Sequence, residues 1–254
     1  MSHILIEQKP VFSKGILHTY YKFKIAEMFS DTVQGEGINI GCPSTFIRLQ
    51  GCTLVCQWCD TLDVWDKGNE YSFDELLKIL DANNVIAKLK SGQHLIFTGG
   101  SPLKQQLQIR QFLLEIWSRF GFLPYSEVEN ETVLPVTHLK EEMLIQCWNN
   151  SPKLANSGMK EKVRYKPDVI KATSLLHNSW FKFVVEKGDD WQEIDEYFLQ
   201  PELIRRNQVI LMPQGQTQEE LNKIRPIVAE MAVKHQVRFS DRLHITIWNQ
   251  ATGV

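Results

Sequence analysis

Short apolar runs rich in β-branched and aromatic residues alternate with longer amphipathic stretches along most of the chain. The short runs have the length and composition of β-strands. They are STFIRLQ (44–50), HLIFTGG (94–100), FLPYSEVE (122–129), MLIQCW (143–148), WFKFVVE (180–186), QVILM (208–212) and LHITIW (243–248). The longer stretches have helical spacing of apolar residues: SFDELLKILDANNVIAKL (72–89), KQQLQIRQFLLEIWSRF (104–120), a short segment near Pro167–Leu176, DDWQEIDEYFL (189–199) and the segment beginning TQEELNKI (217–224). Regular alternation of strands and helices predicts an α/β fold.

Two of the predicted helices begin with a capping box. Ser72 is followed three residues later by Glu75, and Thr217 is followed by Glu220. In this arrangement the hydroxyl accepts a backbone N–H of the helix, while the glutamate accepts the N–H of the first residue. The pattern predicts helix starts at these two positions.

The chain has no internal repeat, no low-complexity tract and no Pro/Gly/Ser-rich linker. We therefore expect one domain over 1–254, with an N-terminal extension at 1–25 and a polar, irregular insertion at 149–179. The strand–helix rhythm leaves two architectures, an open doubly wound sheet or a full or partial (β/α) barrel, and both place functional groups after the carboxyl ends of strands. Four chemically informative groups follow predicted strands: Cys52, Thr98–Gly100, Ser151–Lys153 and Pro213–Gly215. We predict that they meet at one mouth.

Composition narrows the function class. The 254 residues include 28 Lys and Arg against 30 Asp and Glu, a net charge of −2, with 43% hydrophobic and 23% charged residues. This balance is typical of a globular protein and argues against a protein that coats nucleic acid with a basic face. No apolar run approaches the roughly 20 residues that cross a bilayer. The start, MSHILIEQKP, lacks the apolar core of a signal peptide, so we expect a cytoplasmic protein without membrane or nucleic-acid partners.

Three of the five cysteines are clustered. Cys52, Cys56 and Cys59 form C-x3-C-x2-C, whereas Cys42 and Cys147 stand apart. Clustered thiols in a protein without secretory features are more often metal ligands or redox groups than disulfides. Cys147, inside MLIQCW, is predicted to be a small buried apolar residue, and Cys42 is compatible with either role.

The spacing leaves two metal centres open. Structural zinc takes four protein ligands, usually as two separated pairs, and here His18 or His138 would have to complete the set. Three thiolates from one short loop can instead hold three corners of a [4Fe–4S] cluster, which leaves its fourth iron without a protein ligand. A reaction can take place at that open iron. The spacing of the cysteines favours the cluster over zinc.

The cysteine loop resembles the signature of the radical S-adenosylmethionine superfamily. Its sequence is Cys52-Thr-Leu-Val-Cys56-Gln-Trp58-Cys59, with an aromatic residue before the last cysteine. Phe97-Thr98-Gly99-Gly100-Ser101-Pro102 resembles the GGEP element of that superfamily, with Ser101 where Glu is usual. The resemblance implies that the open iron binds the amino and carboxylate groups of S-adenosylmethionine. One electron then cleaves the cofactor to a 5′-deoxyadenosyl radical, with Trp58 beside the adenine.

Longer segments resemble the 7-carboxy-7-deazaguanine synthase family within this superfamily. They are Val33–Gly37, Pro43–Leu49, Gly51-Cys52, Cys59-Asp60-Thr61, Ser151–Lys153, Phe181–Val185, Leu211–Pro213 and Arg242–His244. This resemblance implies a partial (β/α) TIM-type barrel, the radical S-adenosylmethionine core. It also implies a lyase that converts 6-carboxy-5,6,7,8-tetrahydropterin to 7-carboxy-7-deazaguanine and ammonia in queuosine-type 7-deazapurine biosynthesis.

The same resemblance assigns candidate site residues. Those expected to contact substrate are Val33, Gln34, Gly35, Glu36, Arg48, Thr98 and the terminal Val254. Those expected to line the S-adenosylmethionine site are Trp58, Gly99, Gly100, Ser151, Pro152, Lys153, Met212, Pro213, Gln214 and Gly215. The cluster ligands are Cys52, Cys56 and Cys59, and Thr61 is the expected Mg²⁺ ligand.

The residue types suit a pterin carboxylate. The carboxylate of Glu36 can accept hydrogen bonds from the guanidine-like edge of the ring, and Arg48 offers a planar fork that matches a carboxylate.

The resemblance further implies a flavodoxin- or ferredoxin-type electron donor and a homodimer.

Two other functions remain open at this stage. An activating enzyme for a glycyl-radical protein also uses CxxxCxxC in a partial barrel, but it gives no reason for VQGEG (33–37) or for the CDT threonine. A zinc-stabilised binding protein without catalysis belongs to a different class. Iron content and turnover of the carboxypterin separate the three.

Overall fold

The computed structural model describes residues 3–6, 22–59, 67–139 and 144–249. Within these ranges, ten strands form one sheet. The strands are β1 (His3–Ile6), β2 (Lys22–Val33), β3 (Pro43–Leu49), β4 (Asn69–Ser72), β5 (His94–Gly99), β6 (Ser126–Asn130), β7 (Cys147–Asn150), β8 (Ser179–Val185), β9 (Val209–Pro213) and β10 (Arg238–Phe239).

The α-helices of the described ranges lie mainly between the parallel strands. They are α1 (Phe73–Ala82), α2 (Val85–Lys90), α3 (Gln106–Phe120), α4 (Glu161–Arg164), α5 (Pro167–Ser174), α6 (Asp190–Ile194), α7 (Gln218–His235) and α8 (Leu243–Trp248). Helix α6 continues as a π-helical turn, Asp195–Leu199, and short 3-10 turns occur at Pro102–Gln105, Ala155–Ser157 and Arg206–Gln208.

The sheet is an open, mostly parallel one. Its order is β1-β2-β3-β5-β6-β7-β8-β9-β10, and β4 pairs with the other end of β2. The pairs of β2 with β1, β3 and β4 are antiparallel, whereas every pair from β3 to β10 is parallel. Among the described strands β1 and β10 form the two edges and do not pair with each other. The prediction of an α/β partial barrel is confirmed.

The alternation of side chains along β3 assigns the two faces of the sheet. Ile47 and Leu49 are fully buried in the core, whereas Phe46 and Arg48 line a cavity on the other face. One core cluster joins β2, β3 and β5 to α1, α2 and α3. A second cluster joins β8 and β9 to α5, the α6 segment and α7. The apolar face of the sheet is thus covered by helices, and its polar face is left for the site.

The helix starts follow the sequence pattern. Ser72 and Thr217 are N-cap residues with complete capping boxes to Glu75 and Glu220. The predicted helix over 72–89 is instead two helices, because Asn84 adopts a left-handed conformation between α1 and α2. Asparagine tolerates this conformation better than most residues.

The segment LHITIW was predicted to be a strand, and that prediction is wrong. Residues Leu243–Trp248 form helix α8. Its backbone is tied to the site, since the Leu243 N–H donates to the Gly35 carbonyl at 2.8 Å and the N–H groups of Ile245 and Thr246 donate to the Arg242 carbonyl. Only Ile245 is buried in this helix. Tertiary contacts therefore override a local β preference, which depends strongly on context.

Two predicted strands begin later than expected. Strand β6 starts at Ser126, after Pro124, which has no N–H to give to a ladder. Strand β7 starts at Cys147, because the preceding residues turn and the side chain of Gln146 accepts the Ser126 N–H at 2.6 Å.

Strand β1 and the start of β2 lie within 1–25 and pair in the main sheet. Within 149–179, the short helix predicted near Pro167–Leu176 is present as α5, and α4 precedes it. None of the helices in the described residues combines the length and the apolar character needed to cross a membrane.

Candidate active site

A cavity of about 410 Å³ opens at the carboxyl ends of the parallel strands. This volume lies within the usual range of small-molecule sites, roughly 300–1,000 Å³. The sequence-predicted residues that line it are Val33, Gln34, Gly35, Glu36, Arg48, Cys52, Cys56, Trp58, Cys59, Thr98, Gly99, Gly100, Ser151, Lys153, Met212 and Gln214. The structure therefore brings together the groups that follow four different strands.

Five predicted residues are not part of this lining. Pro152, Pro213 and Gly215 flank lining residues, and the Gly215 carbonyl accepts a hydrogen bond from Arg242 Nη1 at 2.5 Å. Thr61 and Val254 lie outside the described residues.

The thiols of the three clustered cysteines lie on one side of the cavity. The Leu54 N–H donates to Cys52 Sγ at 3.3 Å, and the Cys59 N–H donates to the Cys56 carbonyl at 3.2 Å. Burial raises the pKa of Cys52 and Cys56, and the neighbouring thiols raise it further. A positive metal centre would reverse this effect, because a coordinating thiol is deprotonated.

This donor set fits an iron–sulfur cluster better than zinc. Among the described residues, no three or more His, Cys, Asp or Glu side chains converge so as to hold a single metal ion. His138 is exposed and is not part of the cavity lining, and His18 lies outside the described residues. In a [4Fe–4S] cubane, by contrast, each thiolate binds a different iron atom, so the three thiols need not converge on one metal ion.

The remaining two cysteines, Cys42 and Cys147, do not line the cavity. Cys147 is fully buried on β7, as predicted, and burial followed by the charge of Glu127 raises its pKa far above the usual value. Cys42 is half-buried, and burial raises its pKa as well. Both thiols are therefore poor thiolate ligands in their present surroundings.

The glycine element packs tightly against the cysteine loop. A Cβ atom on Gly100 would collide with the Gly51 carbonyl and would lie 2.6 Å from the Cβ of Cys52. Gly99 has φ +127, a conformation that favours glycine. The backbone at Gly100 therefore lies closer to the cysteine loop than it could if this residue carried a side chain.

Ser101, where the sequence departs from the superfamily pattern, is fully buried beside the cysteine loop. Its hydroxyl accepts the Thr53 N–H at 2.8 Å and lies 3.0 Å from Thr53 Oγ1. It also lies 3.7 Å from Cys52 Sγ. This serine joins the two loops to each other.

Trp58 and Lys153 line the cavity near the cysteine loop. The indole N–H of Trp58 donates to the Asn156 carbonyl at 3.0 Å. Lys153 Nζ lies 5.6 Å from the centre of the Trp58 ring and donates to Ser151 Oγ at 2.8 Å. An aromatic face, a cation and a hydroxyl thus stand together next to the thiols.

A network of buried charges occupies the other side of the cavity. Lys182 Nζ lies 2.5 Å from Glu36 Oε2 and 3.1 Å from Glu129 Oε2. Arg242 Nε lies 2.9 Å from Glu36 Oε1, and His244 Nε2 lies 4.0 Å from the same oxygen. The carboxylate of Glu36 is therefore held by two cations from strand β8 and the start of α8.

These charges move the pKa values of the two carboxyls in opposite directions. Burial raises the pKa of Glu36, but Lys182 and Arg242 outweigh burial and hold it well below its usual value. For Glu129, burial dominates, and its pKa is raised despite Lys182. Lys182 stays charged, because the two carboxylates raise its pKa more than burial lowers it. Glu36 therefore stays ionised, whereas Glu129 takes up a proton more easily.

Gln34 is held between two acidic side chains of β6 and the strand edge. Its Nε2 donates to Glu127 Oε2 and Glu129 Oε1, both at 3.2 Å. Glu127 is fully buried and also accepts Asn149 Nδ2 at 2.6 Å, and its Oε1 lies 2.6 Å from His94 Nδ1. These contacts fix the Gln34 amide at the base of the cavity.

Arg48 is oriented by Glu27 on the neighbouring strand. The Arg48 Nε–Glu27 Oε1 distance is 2.6 Å, and both side chains are largely buried. Gly35 approaches α8 so closely that a Cβ at this position would overlap the His244 ring. The predicted loop 33–36 and the C-terminal helix thus form one wall.

Sequence reasoning did not single out Glu129, Glu131 and Lys182 as site residues, although all three line the cavity. Each of the three stands in a sequence pattern that indicates a polar position inside the fold. Lys182 is a lone charge in the apolar run WFKFVV, and Glu127 and Glu129 alternate along β6, with Glu131 directly after its last residue. Charged residues at alternate positions of a buried parallel strand indicate a polar inner face. Lys182, Arg242 and His244 were recognised only as parts of segments that resemble the family.

Comparisons with known proteins agree with this geometry. Residues 33–147 match the family model described as a 4Fe-4S single cluster domain. The chain is 34% identical over 234 residues to a 7-carboxy-7-deazaguanine synthase of Pyrobaculum aerophilum, covering 91% of this chain and 97% of that protein. It is 30% identical over 220 residues to a 7-carboxy-7-deazaguanine synthase of Buchnera aphidicola, covering 79% and 88%. The crystal structure of QueE from Escherichia coli has the same fold, with a TM-score of 0.64, 22% identity and coverage of 88% of this chain and 95% of that one.

Proposed function

The chain belongs to the 7-carboxy-7-deazaguanine synthase family, and we propose that its cavity converts 6-carboxy-5,6,7,8-tetrahydropterin to 7-carboxy-7-deazaguanine with release of ammonia. It is a radical S-adenosylmethionine lyase. One observation supports the proposal above the others: the three clustered cysteines and the Glu36–Lys182–Arg242 charge network line a single cavity. A catalyst that keeps a cluster and a polar, anionic substrate together needs both.

Cys52, Cys56 and Cys59 hold the [4Fe–4S] cluster in this proposal, and S-adenosylmethionine lies beside them. When bound, the two groups supply a carbon radical that removes hydrogen from the substrate. The chain supplies position: Gly99 and Gly100 give close backbone approach. The aromatic face of Trp58, the cation of Lys153 and the hydroxyl of Ser151 give an adenine surface and polar contacts.

The charge network is the proposed pterin site. Glu36 is the hydrogen-bond acceptor for the guanidine-like edge of the ring, and Arg48, oriented by Glu27, is the fork for the carboxylate. Val33, Gln34, Gly35 and Thr98 complete the wall. Because the pKa of Glu36 is held low, it accepts hydrogen bonds as a carboxylate throughout the neutral range.

Exclusion of water is the second task of this wall. A carbon radical reacts with most C–H bonds that it meets, so the substrate has to be held in one position in a closed site. The contact of Gly35 with His244 and the ion pair of Glu36 with Arg242 join the two ends of the sheet across the cavity. In the proposal, this connection helps to hold the substrate in one position.

Magnesium is part of the proposal through family resemblance only. Thr61 would be its protein ligand, Asp60 its neighbour, and Val254 a further substrate contact, and all three lie outside the described residues. A cation that keeps waters and substrate oxygens needs few protein ligands.

Three further proposals concern the surroundings of the enzyme. A flavodoxin- or ferredoxin-type protein supplies the electron, and the chain forms a homodimer, as the family resemblance implies. A cytoplasmic location agrees with the reduced thiols of Cys42, Cys52, Cys56 and Cys147, since reducing compartments keep thiols reduced. Analytical ultracentrifugation of the loaded protein tests the dimer.

Anaerobic reconstitution followed by turnover tests the function. We expect a brown protein with about four irons per chain, as one cubane requires. With S-adenosylmethionine and dithionite, 6-carboxy-5,6,7,8-tetrahydropterin should give 7-carboxy-7-deazaguanine in mass spectra. Cofactor cleavage without product for every pterin tested would contradict the substrate, and a colourless protein with bound zinc would contradict the chemistry.

A further inference from the structure

The side-chain amide of Gln34 is held in one direction in the cavity wall. The residue is buried and lines the cavity. Its Nε2 lies 3.2 Å from Glu127 Oε2 and 3.2 Å from Glu129 Oε1. An ionised carboxylate only accepts hydrogen bonds, so the NH₂ end of the amide has to face these oxygens. The amide oxygen of Gln34 is therefore turned away from both glutamates.

The amide oxygen, Oε1, keeps the capacity to bind a ligand. It accepts the Glu36 N–H at 3.4 Å, which is longer than a typical N–H···O hydrogen bond. A carbonyl oxygen has two lone pairs and can accept a second donor. Gln34 and Glu36 both line the cavity, so this part of the wall carries an amide oxygen next to a carboxylate. Two neighbouring acceptors match a ligand edge that carries N–H donors.

Glu127 holds Gln34 from behind the cavity wall. It is fully buried on β6 and is not part of the cavity lining. Its Oε2 also accepts Asn149 Nδ2 at 2.6 Å, and its Oε1 lies 2.6 Å from His94 Nδ1. A buried carboxylate needs such donors. Glu129, by contrast, lines the cavity, so a bound substrate can engage it. Glu127 is the partner of Gln34 that a substrate leaves undisturbed.

His94 holds Glu127 from the first residue of β5. The carboxylate is an acceptor, so Nδ1 carries the proton in the 2.6 Å contact. The imidazole ring stacks on Tyr125, with ring centres 4.1 Å apart and an interplanar angle of 22°. His94 is mostly buried and is not part of the cavity lining. A ring fixed by stacking thus orients a carboxylate, and the carboxylate orients an amide of the cavity wall.

We propose that His94 and Glu127 are positioning residues that present Gln34 Oε1 to the N–H edge of the substrate. The proposal rests on the proposed function, which puts a pterin in this cavity. The guanidine-like edge of a pterin carries an amino group, whereas the corresponding lumazine carries a carbonyl oxygen there. A wall built to accept N–H groups rejects the analogue that lacks one. His94 and Glu127 therefore set a preference for pterins without contact to the substrate.

Discrimination between two ligands tests the proposal. Calorimetry on cluster-loaded protein with S-adenosylmethionine and without reductant measures binding of 6-carboxy-5,6,7,8-tetrahydropterin and of 6-carboxy-5,6,7,8-tetrahydrolumazine. We expect wild type to prefer the pterin. Glu127→Gln replaces the carboxylate by an amide that donates as well as accepts, so the Gln34 amide can turn round. Pterin binding should then weaken about tenfold and lumazine binding should not, so the preference falls about tenfold.

A double variant tests whether Glu127 acts through Gln34. Gln34→Leu removes the acceptor itself and should lower the pterin preference as far as Glu127→Gln does. The double variant should lower it no further, because two residues that act through one contact are not additive. Additive losses would overturn the proposal.

Substitutions of His94 give a matched pair. The amide nitrogen of His94→Asn can take the place of Nδ1 and keep a donor for Glu127, whereas His94→Leu cannot. We expect His94→Asn to keep the wild-type preference and His94→Leu to lower it about threefold or more. Glu219→Gln, at an exposed glutamate on α7, should match wild type. Iron content and S-adenosylmethionine affinity equal to wild type identify the variants whose fold is intact, and the His94 pair carries the test if Glu127→Gln does not fold.

The outcomes separate this inference from the proposed function. Equal weakening of both ligands in Glu127→Gln and His94→Leu would assign these residues a purely structural role and overturn the inference. A wild-type protein that binds pterin and lumazine equally would overturn it as well, with the proposed function intact. Failure of the loaded wild-type protein to bind either ligand would overturn the proposed function itself.

Discussion

Lys182 is a cation on a strand that is otherwise apolar, and its position depends on two acidic partners distant in sequence. Glu36 lies 146 residues away and Glu129 lies 53 residues away along the chain. The cost of burying an ammonium group is several kcal/mol, and paired carboxylates offset it. The charge network, which is the proposed pterin surface, therefore also offsets the cost of burying this lysine beside the cavity.

Replacing this cation should destabilise the protein strongly. Lys182→Met leaves Glu129 without its counter-charge in a buried position, and we expect the free energy of unfolding to fall by about 3–5 kcal/mol. Urea unfolding under anaerobic conditions measures the change. The double variant Lys182→Met with Glu129→Gln should recover a large part of the loss, since it removes the unpaired carboxylate. A double variant no more stable than Lys182→Met would contradict the pairing.

The pH dependence of stability should report on Glu36. Its folded-state pKa lies well below the usual 4.5, so it contributes stability above about pH 4.5, and this contribution is lost as the pH falls through the folded-state value. Wild type should exceed Glu36→Gln by about 2 kcal/mol near pH 7, and the difference should shrink on acidification below pH 4.5. Unfolding midpoints of both proteins at several pH values test this. A difference that grows towards low pH would reverse the assigned sign.

The residue scale also shows what the sequence can predict of the site. The cysteine loop, the glycine element and Glu36 are contiguous motifs, and the structure places them in one cavity. Glu129 and Lys182 were not found because their meaning depends on pairing across the sheet. A lone lysine in an apolar run indicates a buried charge, but nothing in the run identifies its partner.

At the scale of elements, the residue that follows β5 packs tightly against the cysteine loop. Gly100→Ala would push a methyl group against the Gly51 carbonyl and Cys52. Overpacking of this kind costs about 1–3 kcal/mol, and here the loop that holds Cys52 has to move. We expect reconstituted Gly100→Ala to contain clearly less iron than wild type, measured with sulfide content after anaerobic desalting.

Gly188→Ala is the matched control for this substitution. A Cβ on Gly188 meets no atom within 4 Å, so the variant should take up iron like wild type. Full iron content in Gly100→Ala would show that the loop tolerates the methyl group and that the close approach is not required for cluster assembly.

Helix α8 shows where element prediction from sequence reaches its limit. The strand β3 and the helices after Ser72 and Thr217 follow from local pattern, because composition, capping and burial agree there. LHITIW has three consecutive β-branched residues at 245–247, yet the backbone N–H of Leu243 is bonded to the Gly35 carbonyl. A contact made with the other end of the sheet decides its conformation, and no local pattern contains that contact.

At the scale of the molecule, one sheet joins two cores. The first core packs under β2, β3 and β5, and the second packs under β8 and β9. Strands β6 and β7 connect them through an unbroken series of parallel pairs. The ion pair of Glu36 with Arg242 adds a link across the open side of the barrel.

We therefore expect the chain to unfold as one cooperative unit. Leu76 is fully buried in the first core and Phe183 in the second, so truncation of either to alanine should cost about 2–5 kcal/mol. Each variant should shift the whole of a single transition, with far-ultraviolet circular dichroism and tryptophan fluorescence coinciding. Two independent halves would give a different result: Leu76→Ala would move only an early phase and leave a later phase at the wild-type midpoint. Because the site takes its cysteines from one half and Lys182 from the other, independent halves would also open the cavity before the second half unfolds.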